Sequence, residues 1–316
     1  MLREKSILVT GAAGFIGSHL AEVLLNQGNE VVGVDNFITG SRENIDHLQS
    51  VYPKFTFLER DISQPLDVDE ELDYIFHFAC PASPADFERL RFNILTTGCF
   101  GTFYLLQLAQ SKEATFVFAS SSEVYGDPEQ HPQREKYRGN VNTTGPRAVY
   151  DESKRYGETM LTVFHDEFGL DTRMVRIFNT YGERMRLHDG RAIPAFITQA
   201  LLDEDLTVFG DGSQTRSIQY ISDLIGGVLL LAESDVIEPV NIGNPQEITM
   251  KLLAEEIIIL SKSKSKIVYR PLPKDDPKRR QPDISTAKQL LDWEPRVMPE
   301  EGLLRTIDWF RRKLKR

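Results

Sequence analysis

Cysteine is scarce in this sequence. The 316 residues include only Cys80 and Cys99, and the two are not arranged at the close spacing that metal-binding cysteines use. A framework of disulfide bonds and a structural zinc site are therefore both excluded, and we predict no metal site. Each thiol is expected to be a small buried side chain.

Long apolar runs are also missing. No stretch approaches the roughly 18 residues that a transmembrane helix requires. The opening residues, MLREKSILVTG, lead into a strand-like segment without the layout of a signal peptide. These observations argue against a membrane protein and a secreted protein, and they lead us to expect a cytoplasmic location.

Positive charge is in deficit. Lys and Arg number 37 against 47 Asp and Glu, which gives a net charge of −10. A nonspecific nucleic-acid binder neutralises phosphates with a basic surface, so we predict no nucleic-acid partner. An anionic ligand would need a local basic pocket, for which the candidates are the segment 274–283 and Arg184, Arg186, Arg191 and Arg216.

Glycine, by contrast, is placed in a pattern. Gly11, Gly14 and Gly17 follow a β-rich run at 6–10 and open a helix-periodic run that continues to about Leu25. Glycine is needed there because the backbone must turn sharply and approach a pyrophosphate, whose charge the helix amino terminus stabilises. The pattern therefore predicts a dinucleotide site.

The acid at the end of the second β-rich run indicates which dinucleotide is bound. Asp35 stands 18 residues after Gly17, where a carboxylate accepts hydrogen bonds from the adenosine ribose and repels a 2′-phosphate. NAD is therefore favoured over NADP. Arg42 is close enough in sequence to attract a phosphate, but Asp35 would still face it.

The alternation of strands and helices continues along the chain. β-rich runs at 55–62, 72–80 and 115–119 follow, with a helical stretch at 95–111 between the last two. This order predicts an α/β fold with a doubly wound parallel sheet of the Rossmann type.

The pattern changes near residue 181, where helices with short strands begin. We predict two domains that share a cleft: an NAD-binding Rossmann domain at 1–180, joined by about 220–242, and a smaller C-terminal α/β substrate domain at 181–316. Helical periodicity is clearest at 192–204, 222–234 and 300–312.

A catalytic pair is indicated by Tyr150 and Lys154. The two stand four residues apart in a helix-compatible segment, and hence on one face. A nearby ammonium favours the phenolate and lowers a tyrosine pKa. The pair is therefore a candidate general base for work near neutral pH.

A second group of polar residues follows the β-rich run at 115–119. The stretch SSSEVYGD places Ser121, Ser122 and Glu123 at the carboxyl end of a predicted strand. Open α/β sheets bind their ligands at that end of the strands. We therefore expect these three side chains to lie in the active site.

Together these motifs resemble the extended short-chain dehydrogenase/reductases, which act mainly on nucleotide sugars. Within that group the chain resembles the UDP-glucuronate decarboxylases over nearly its whole length. The resemblance rests on ASSSEVYGDPEQHPQ, VNTTGPRAVYDESKR, RIFNTYGERM, DGRAIPAFI, LTVFGDGSQTRSIQYISDL, NIGNPQEIT and DDPKRRQPDI. Its most specific parts are Ser122-Glu123 and Arg280.

The resemblance implies a role for each candidate. Tyr150 would take the proton from a sugar hydroxyl, Lys154 would hold the nicotinamide ribose, and Ser121 or Ser122 would bond the reacting oxygen. Besides Tyr150 and Lys154, the implied NAD contacts are Gly11, Gly14, Phe15, Ile16, Gly17, Asp35, Asn36, Asp61, Ile62 and Ala79. The implied contacts of the nucleotide diphosphate are Asn179, Arg191, Arg216 and Tyr220.

The implied chemistry gives Glu123 and Arg280 a purpose. Oxidation at C4 of UDP-glucuronate places a ketone β to the carboxylate, so that carbon dioxide is lost through an enolate, and reduction by the same cofactor gives UDP-xylose. Glu123 and Arg280 would orient the carboxylate or return the proton. The resemblance also implies a homodimer formed through the helices at 95–111 and 150–167.

Other interpretations stay open from the sequence. A nucleotide-sugar 4-epimerase or 4,6-dehydratase shares most of these motifs, and an NAD-binding scaffold without turnover would share the glycine pattern. The sequence also departs from the decarboxylases, with Cys80 in place of the usual serine and Gly98 in place of the typical asparagine. These departures leave the exact uronate open.

Overall fold

A seven-stranded parallel sheet lies at the centre of the structure, a computed structural model that describes residues 2–272 and 279–315. In these ranges the strands are, in chain order, β1 (Ser6–Thr10), β2 (Glu30–Asp35), β3 (Phe55–Glu59), β4 (Tyr74–His77), β5 (Thr115–Ser121), β6 (Thr172–Ile177), β7 (Thr180–Tyr181), β8 (Leu206–Phe209), β9 (Thr215–Ser217), β10 (Gln219–Tyr220), β11 (Val240–Ile242), β12 (Glu247–Thr249) and β13 (Ile267–Arg270).

The strand order in this sheet is β11-β6-β5-β4-β1-β2-β3, and all pairings in it are parallel. The chain runs outward in one direction from β1 to β3 and then returns to continue from β4 on the other side. Ligands bind where the strand order reverses, at the carboxyl ends of β1 and β4. The predicted doubly wound Rossmann sheet is confirmed.

Helices cover both faces of the sheet. They are α1 (Phe15–Asn26), α2 (Arg42–Val51), α3 (Arg91–Thr96), α4 (Thr102–Lys112), α5 (Ala148–Phe168), α6 (Ala192–Leu201), α7 (Ile221–Ala232), α8 (Met250–Ser261), α9 (Ser285–Leu291) and α10 (Pro299–Leu314). Because successive side chains of a strand point to opposite faces, Ile7 and Val9 share a core with α1, whereas Leu8 shares the other core with α4 and α5.

The predicted helix at 95–111 differs from what the structure contains. Helix α3 ends at Thr96, a π-helical turn covers Thr97–Gly101, and α4 begins at Thr102. Gly98 lies in this turn, where a Cβ atom would be 2.5 Å from Cβ of Ser153 on α5. The close approach of α5 leaves no room for a side chain, which accounts for the glycine at this position.

The second half of the chain adds three pairs of short strands. β7 pairs with β10 and β8 with β13 in parallel, and β9 pairs with β12 antiparallel. Strand β11 instead joins the central sheet beside β6. The predicted division into domains stays a prediction.

Two further sequence predictions concern the basic stretch at 274–283 and the lack of a membrane-spanning helix. Half of the basic stretch at 274–283 lies outside the described residues, which resume at Arg279. Within the described ranges, no helix combines the length and the apolar character needed to cross a membrane.

Candidate active site

The glycine loop between β1 and α1 forms the floor of a cleft at the carboxyl ends of β1, β2 and β4. Gly11 has a φ of +75°, and a Cβ there would be 2.9 Å from the amide nitrogen of Ala79. A Cβ on Gly17 would lie 2.1 Å from the Gly11 carbonyl oxygen. Only glycine fits these positions, and the loop leads directly into the amino terminus of α1, where phosphate is bound favourably.

Replacing Gly17 with alanine is expected to weaken NAD binding at least about tenfold, equivalent to roughly 1.4 kcal/mol. The added methyl group collides with Gly11 and forces the loop to move. Gly226→Ala on α7 is the control, since a Cβ there meets nothing within 4 Å. Isothermal titration with NAD measures both, and unchanged affinity in Gly17→Ala would contradict the role of the loop.

Asp35 lies at the end of β2 beside this loop. Its Oδ2 accepts a hydrogen bond from the Ala13 amide at 3.0 Å, and its Oδ1 accepts one from the Phe37 amide at 2.8 Å. Burial raises the pKa of Asp35, although these backbone amides oppose the change. The carboxylate therefore faces the cleft in the place where the sequence predicts an adenosine ribose.

The cleft has an empty volume of about 1030 Å³. Every residue that the sequence assigns to NAD, apart from the Tyr150 and Lys154 pair, lines it: Gly11, Gly14, Phe15, Ile16, Gly17, Asp35, Asn36, Asp61, Ile62 and Ala79. The residues come from four separate segments, so the fold brings the predicted set together. Their contacts with the cofactor stay predictions.

A second, larger cleft of about 1920 Å³ adjoins the first. The two share the side chains of Ile16, Phe78, Cys80, Ala82 and Arg191. All six predicted catalytic residues and three of the four predicted substrate contacts line the second cleft, namely Ser121, Ser122, Glu123, Tyr150, Lys154, Arg280, Asn179, Arg191 and Arg216. The arrangement can hold a dinucleotide and a second ligand side by side.

Tyr220 is the predicted substrate contact that the structure places elsewhere. Its side chain is buried, its hydroxyl donates to the Glu183 carboxylate at 2.6 Å, and its ring packs against Tyr181. It is absent from the residues that line either cleft. Strand β10 directs this ring into the core under α10. Its role as a substrate contact stays a prediction.

Tyr150 and Lys154 occupy the first two turns of α5. The Tyr150 ring stacks on Phe87 with centroids 5.3 Å apart, and Lys154 Nζ donates to the Ala119 carbonyl oxygen at 2.8 Å. Burial raises the pKa of Tyr150 and lowers that of Lys154, while Ser121 opposes the rise at Tyr150. The pKa of Tyr150 in the protein alone is therefore raised and not lowered, and burial is the main cause.

Glu123 lies in a 3₁₀ turn, Ser122–Tyr125, that directly follows β5. Its Oε2 accepts hydrogen bonds from Arg147 at 2.7 Å and from Arg280 at 3.2 Å. Burial acts to raise the pKa of Glu123, but the two guanidinium groups exceed this effect and lower it to about 2. The side chain is therefore a carboxylate at neutral pH, held between two cations.

Arg280 is buried to an unusual degree for a charged residue. Its exposed fraction is 1%, and its guanidinium donates to the Ser122 carbonyl oxygen as well as to Glu123. A buried charge needs a partner of opposite charge and further hydrogen bonds, and Arg280 has both. The predicted Glu123 and Arg280 pair is therefore in direct contact.

Arg147 is a member of this cluster that the sequence reasoning missed. It is the N-cap residue of α5 and makes no side-chain cap hydrogen bond. An arginine is a poor choice there, because Ser, Thr, Asp and Asn cap helices and a cation opposes the helix dipole. That mismatch, three residues before Tyr150, is the signal that could have identified it.

Asp151 follows Tyr150 and is a second buried carboxyl behind this cluster. Its exposed fraction is 5%, and its Oδ1 has no hydrogen-bond partner. Burial and the neighbouring Glu123 raise its pKa to about 7, although Arg147 and Arg280 act against them. The folded protein therefore binds a proton here between about pH 4 and pH 7 that the unfolded chain releases.

The stability that Asp151 contributes is fully present below its unfolded pKa and is lost as the pH rises through about 7. Asp151→Asn does not titrate, so its stability relative to wild type is expected to increase over this range by up to about 4 kcal/mol. Urea unfolding at several pH values measures the difference. Asp166→Asn, on the exposed side of α5, is the control, and parallel curves for Asp151→Asn and wild type would contradict the assignment.

Two further ion pairs line the region where the clefts meet. Asp189 accepts hydrogen bonds from Arg191 at 2.5 and 2.9 Å, and Asp86 accepts from Arg186. Both aspartates are buried. These aspartates hold Arg186 and Arg191 in place, which are two of the candidate residues for binding an anion.

A comparison with known protein families shows to which family the chain belongs. The family described as the NAD dependent epimerase/dehydratase family matches residues 7–243, which contain both β1 and β11. The chain belongs to this family. Its membership confirms the resemblance to extended short-chain dehydrogenase/reductases that the motifs indicate.

Relatives within the family carry a narrower description. UDP-glucuronic acid decarboxylase 1 of Danio rerio is 49% identical over 312 residues, which cover 99% of this chain and 74% of that protein. UDP-glucuronic acid decarboxylase 1 of Arabidopsis thaliana is 46% identical, with 98% of this chain and 70% of that protein covered.

A solved structure from the family shows how far the fold is shared. UDP-glucuronic acid 4-epimerase of Bacillus cereus, in complex with UDP-glucuronic acid and NAD, has a TM-score of 0.87 and 30% identity to this chain, covering 98% of this chain and 99% of that chain. The family fold therefore extends over both clefts and beyond the matched residues 7–243.

Proposed function

We propose that the protein is a UDP-glucuronate decarboxylase that uses NAD and forms UDP-xylose through a 4-keto sugar. The observation that carries this conclusion is the carboxylate of Glu123 held between Arg147 and Arg280 in the same cleft as Tyr150 and Lys154. The curated decarboxylases, at 45–49% identity over nearly the full chain, support the same activity.

The residues of the first cleft fit NAD. The glycine loop leaves space that a Cβ at Gly11 or Gly17 would fill, and Asp35 faces the position of the ribose. When bound, NAD would supply the acceptor for the hydride from C4 of the sugar and, in its reduced form, the donor that returns it, and the oxidised ring would add a positive charge to the site. Lys154 lies on the same side of α5 as Tyr150 to hold the ribose.

Tyr150 serves as the base for the first step. Its phenolate accepts the proton of the C4 hydroxyl, which Ser121 or Ser122 orients from the end of β5. The buried phenol holds its own proton tightly in the protein alone. The positive charge of an oxidised nicotinamide ring, together with Lys154, therefore has to favour the phenolate.

The decarboxylation step uses the charged cluster. A carboxylate β to the C4 ketone loses carbon dioxide as an enolate, so the protein has to orient that carboxylate and supply a proton at C5. Arg280 and Arg147 are the cations available for the carboxylate. Glu123 is ionised, so we assign it the role of aligning both arginines and not that of proton donor.

The cluster of Glu123, Arg147 and Arg280 also distinguishes the proposed activity from the alternative ones. A 4-epimerase needs Tyr150, Lys154 and a serine, all of which are present, and the solved structure that is 30% identical is such an enzyme. An epimerase has no need for a carboxylate clamped between the buried Arg280 and the partly buried Arg147. A scaffold without turnover has no need for Tyr150 and Lys154 in the second cleft.

The direct test is to incubate the protein with UDP-glucuronate and NAD and to identify the products. We expect carbon dioxide and UDP-xylose in equal amounts, measured by trapping the gas and by proton NMR of the sugar. An unchanged mass with inverted configuration at C4 would establish the epimerase instead. Binding of NAD without any product would establish the scaffold.

We also propose that two copies of the chain form a homodimer through α3, the π turn and α5, which pack together. Large apolar side chains on these segments are exposed, with Phe92 at 79%, Phe100 at 54% and Val163 at 42%. Exposed apolar surface of this kind favours association. Sedimentation equilibrium should give twice the chain mass, and a single chain mass at micromolar concentration would contradict the proposal.

Two remaining predictions also belong to this proposal. The domain division at about residue 180, with 220–242 returning to the first domain, is supported by the place of β11 in the central sheet. The expected cytoplasmic location stays a prediction from the sequence.

A further inference from the structure

Arg280 lies outside the helices and strands, so its backbone needs another support. Its guanidinium donates to Glu123 in the 3₁₀ turn, although the two residues are 157 positions apart in the sequence. The Arg280 carbonyl oxygen accepts a hydrogen bond from the Ser217 amide at 3.1 Å. The following residues, Gln281 to Asp283, are held by a different residue.

That residue is Gln133, which is completely buried. Its amide nitrogen donates to the Gln281 carbonyl oxygen at 2.8 Å, and its side-chain Oε1 accepts from the Gln281 amide at 2.8 Å. Its carbonyl oxygen accepts from the Asp283 amide at 2.8 Å. The side-chain Nε2 donates to the Gln130 carbonyl oxygen at 2.8 Å, so both ends of the amide are bonded.

Gln133 is also connected through hydrogen bonds to the 3₁₀ turn that carries Glu123. Asn241, at β11, donates to the carbonyl oxygens of Gln133 and Asp283 at 3.0 and 3.1 Å. Its Oδ1 accepts from the Tyr125 hydroxyl at 2.8 Å, and Tyr125 is the last residue of the turn. The hydrogen bonds therefore form a closed path from the Glu123 turn through Asn241 and Gln133 to Arg280.

We propose that Gln133 is a positioning residue of the decarboxylation step, which sets the place of the Arg280 guanidinium against Glu123 and the substrate carboxylate. The inference rests on the proposed function, because it assigns Arg280 to the second of two chemical steps. Tyr150 and Lys154 are carried by α5, and Gln133 makes no hydrogen bond to either. Loss of the Gln133 side-chain bonds should therefore impair carbon dioxide release and spare oxidation at C4.

The test compares Gln133→Met with Asn29→Leu. Asn29 is also completely buried, its Oδ1 accepts from the Lys5 amide and its Nδ2 donates to two carbonyl oxygens, but it lies at the opposite end of the sheet. Both variants lose comparable side-chain hydrogen bonds. For each, the rate of carbon dioxide release is divided by the rate of C4 oxidation, read from the absorbance of the reduced nicotinamide after mixing with UDP-glucuronate.

We expect Gln133→Met to lower this ratio by about tenfold to 100-fold, as for a misplaced catalytic group, and Asn29→Leu to leave it unchanged. Gln133→Glu keeps the oxygen that accepts from Gln281 and is expected to restore most of the ratio. In an Arg280→Ala background, Gln133→Met should lower the ratio no further, because the group that it positions is gone.

An unchanged ratio in folded Gln133→Met, or equal losses in Gln133→Met and Asn29→Leu, would overturn the positioning role. Failure of the proposed function gives a different result, since wild type would then release no carbon dioxide from UDP-glucuronate. Where Gln133→Met does not fold, Gln133→Asn decides, because its shorter side chain draws the amide away from Gln281: additive losses of ratio from Gln133→Asn and Arg280→Ala would also overturn the role.

Discussion

Tyr150→Phe is expected to abolish oxidation at C4 and, with it, every later step. Removal of a general base costs on the order of 10²-fold to 10⁴-fold in rate. Tyr181 is the other tyrosine that lines the second cleft within the described ranges, and its hydroxyl already donates to the Pro299 carbonyl oxygen. The change keeps the ring that stacks on Phe87. The fold and NAD affinity should therefore be preserved.

Stopped-flow absorbance of the reduced nicotinamide measures this directly after mixing with UDP-glucuronate. Tyr104→Phe removes a hydroxyl from a half-buried tyrosine on α4 and is expected to behave as wild type. Normal formation of reduced cofactor in Tyr150→Phe would mean that another group takes the C4 proton. It would also contradict the assignment of Tyr150 and Lys154 as the general base.

Local patterns in the sequence predicted much of the fold. The β-rich run at 6–10 and the second run ending at Asp35 match β1 and β2, since a continuous run of apolar and β-branched residues is a property of neighbours in the chain. The glycine spacing fixed the loop for the same reason. The stretch at 95–111 is helical as predicted, but the π turn at Thr97–Gly101 within it has no signal in the sequence pattern. Gly98 in this turn lies against Ser153 on α5, a contact that is known only from the fold.

Residues of the candidate site that belong to local sequence motifs were predicted, whereas residues that join it through contacts distant in sequence were missed. Ser121, Glu123, Tyr150 and Lys154 follow from strand ends and helical spacing. The contact of Arg147 with Glu123 spans 24 residues, and that of Gln133 with Gln281 spans 148. Such pairs leave no periodic trace in the sequence. The hydrogen bond from Tyr220 to Glu183 is likewise visible only in the fold.

The second large effect is expected at Glu123, where Glu123→Gln and Glu123→Ala should stop carbon dioxide release while the 4-keto sugar still forms. Removal of a preorganised charge from an active site costs on the order of 10²-fold to 10³-fold. Without the carboxylate, Arg147 and Arg280 repel each other, and Arg280 is left as a buried cation without its partner. NAD affinity should not change, because the glycine loop is a separate part of the site.

A loss of stability alone would produce a different pattern, and Glu158→Gln is the variant that shows it. Glu158 is as buried as Glu123 and pairs with Arg176 at 2.7 Å, with side-chain exposed fractions of 14% and 17% for the two glutamates. Both variants should unfold at lower denaturant concentration, by about 3–5 kcal/mol in unfolding free energy. Only Glu123→Gln should lower carbon dioxide release per C4 oxidation, and equal ratios in the two variants would show that Glu123 supports the fold and not the decarboxylation.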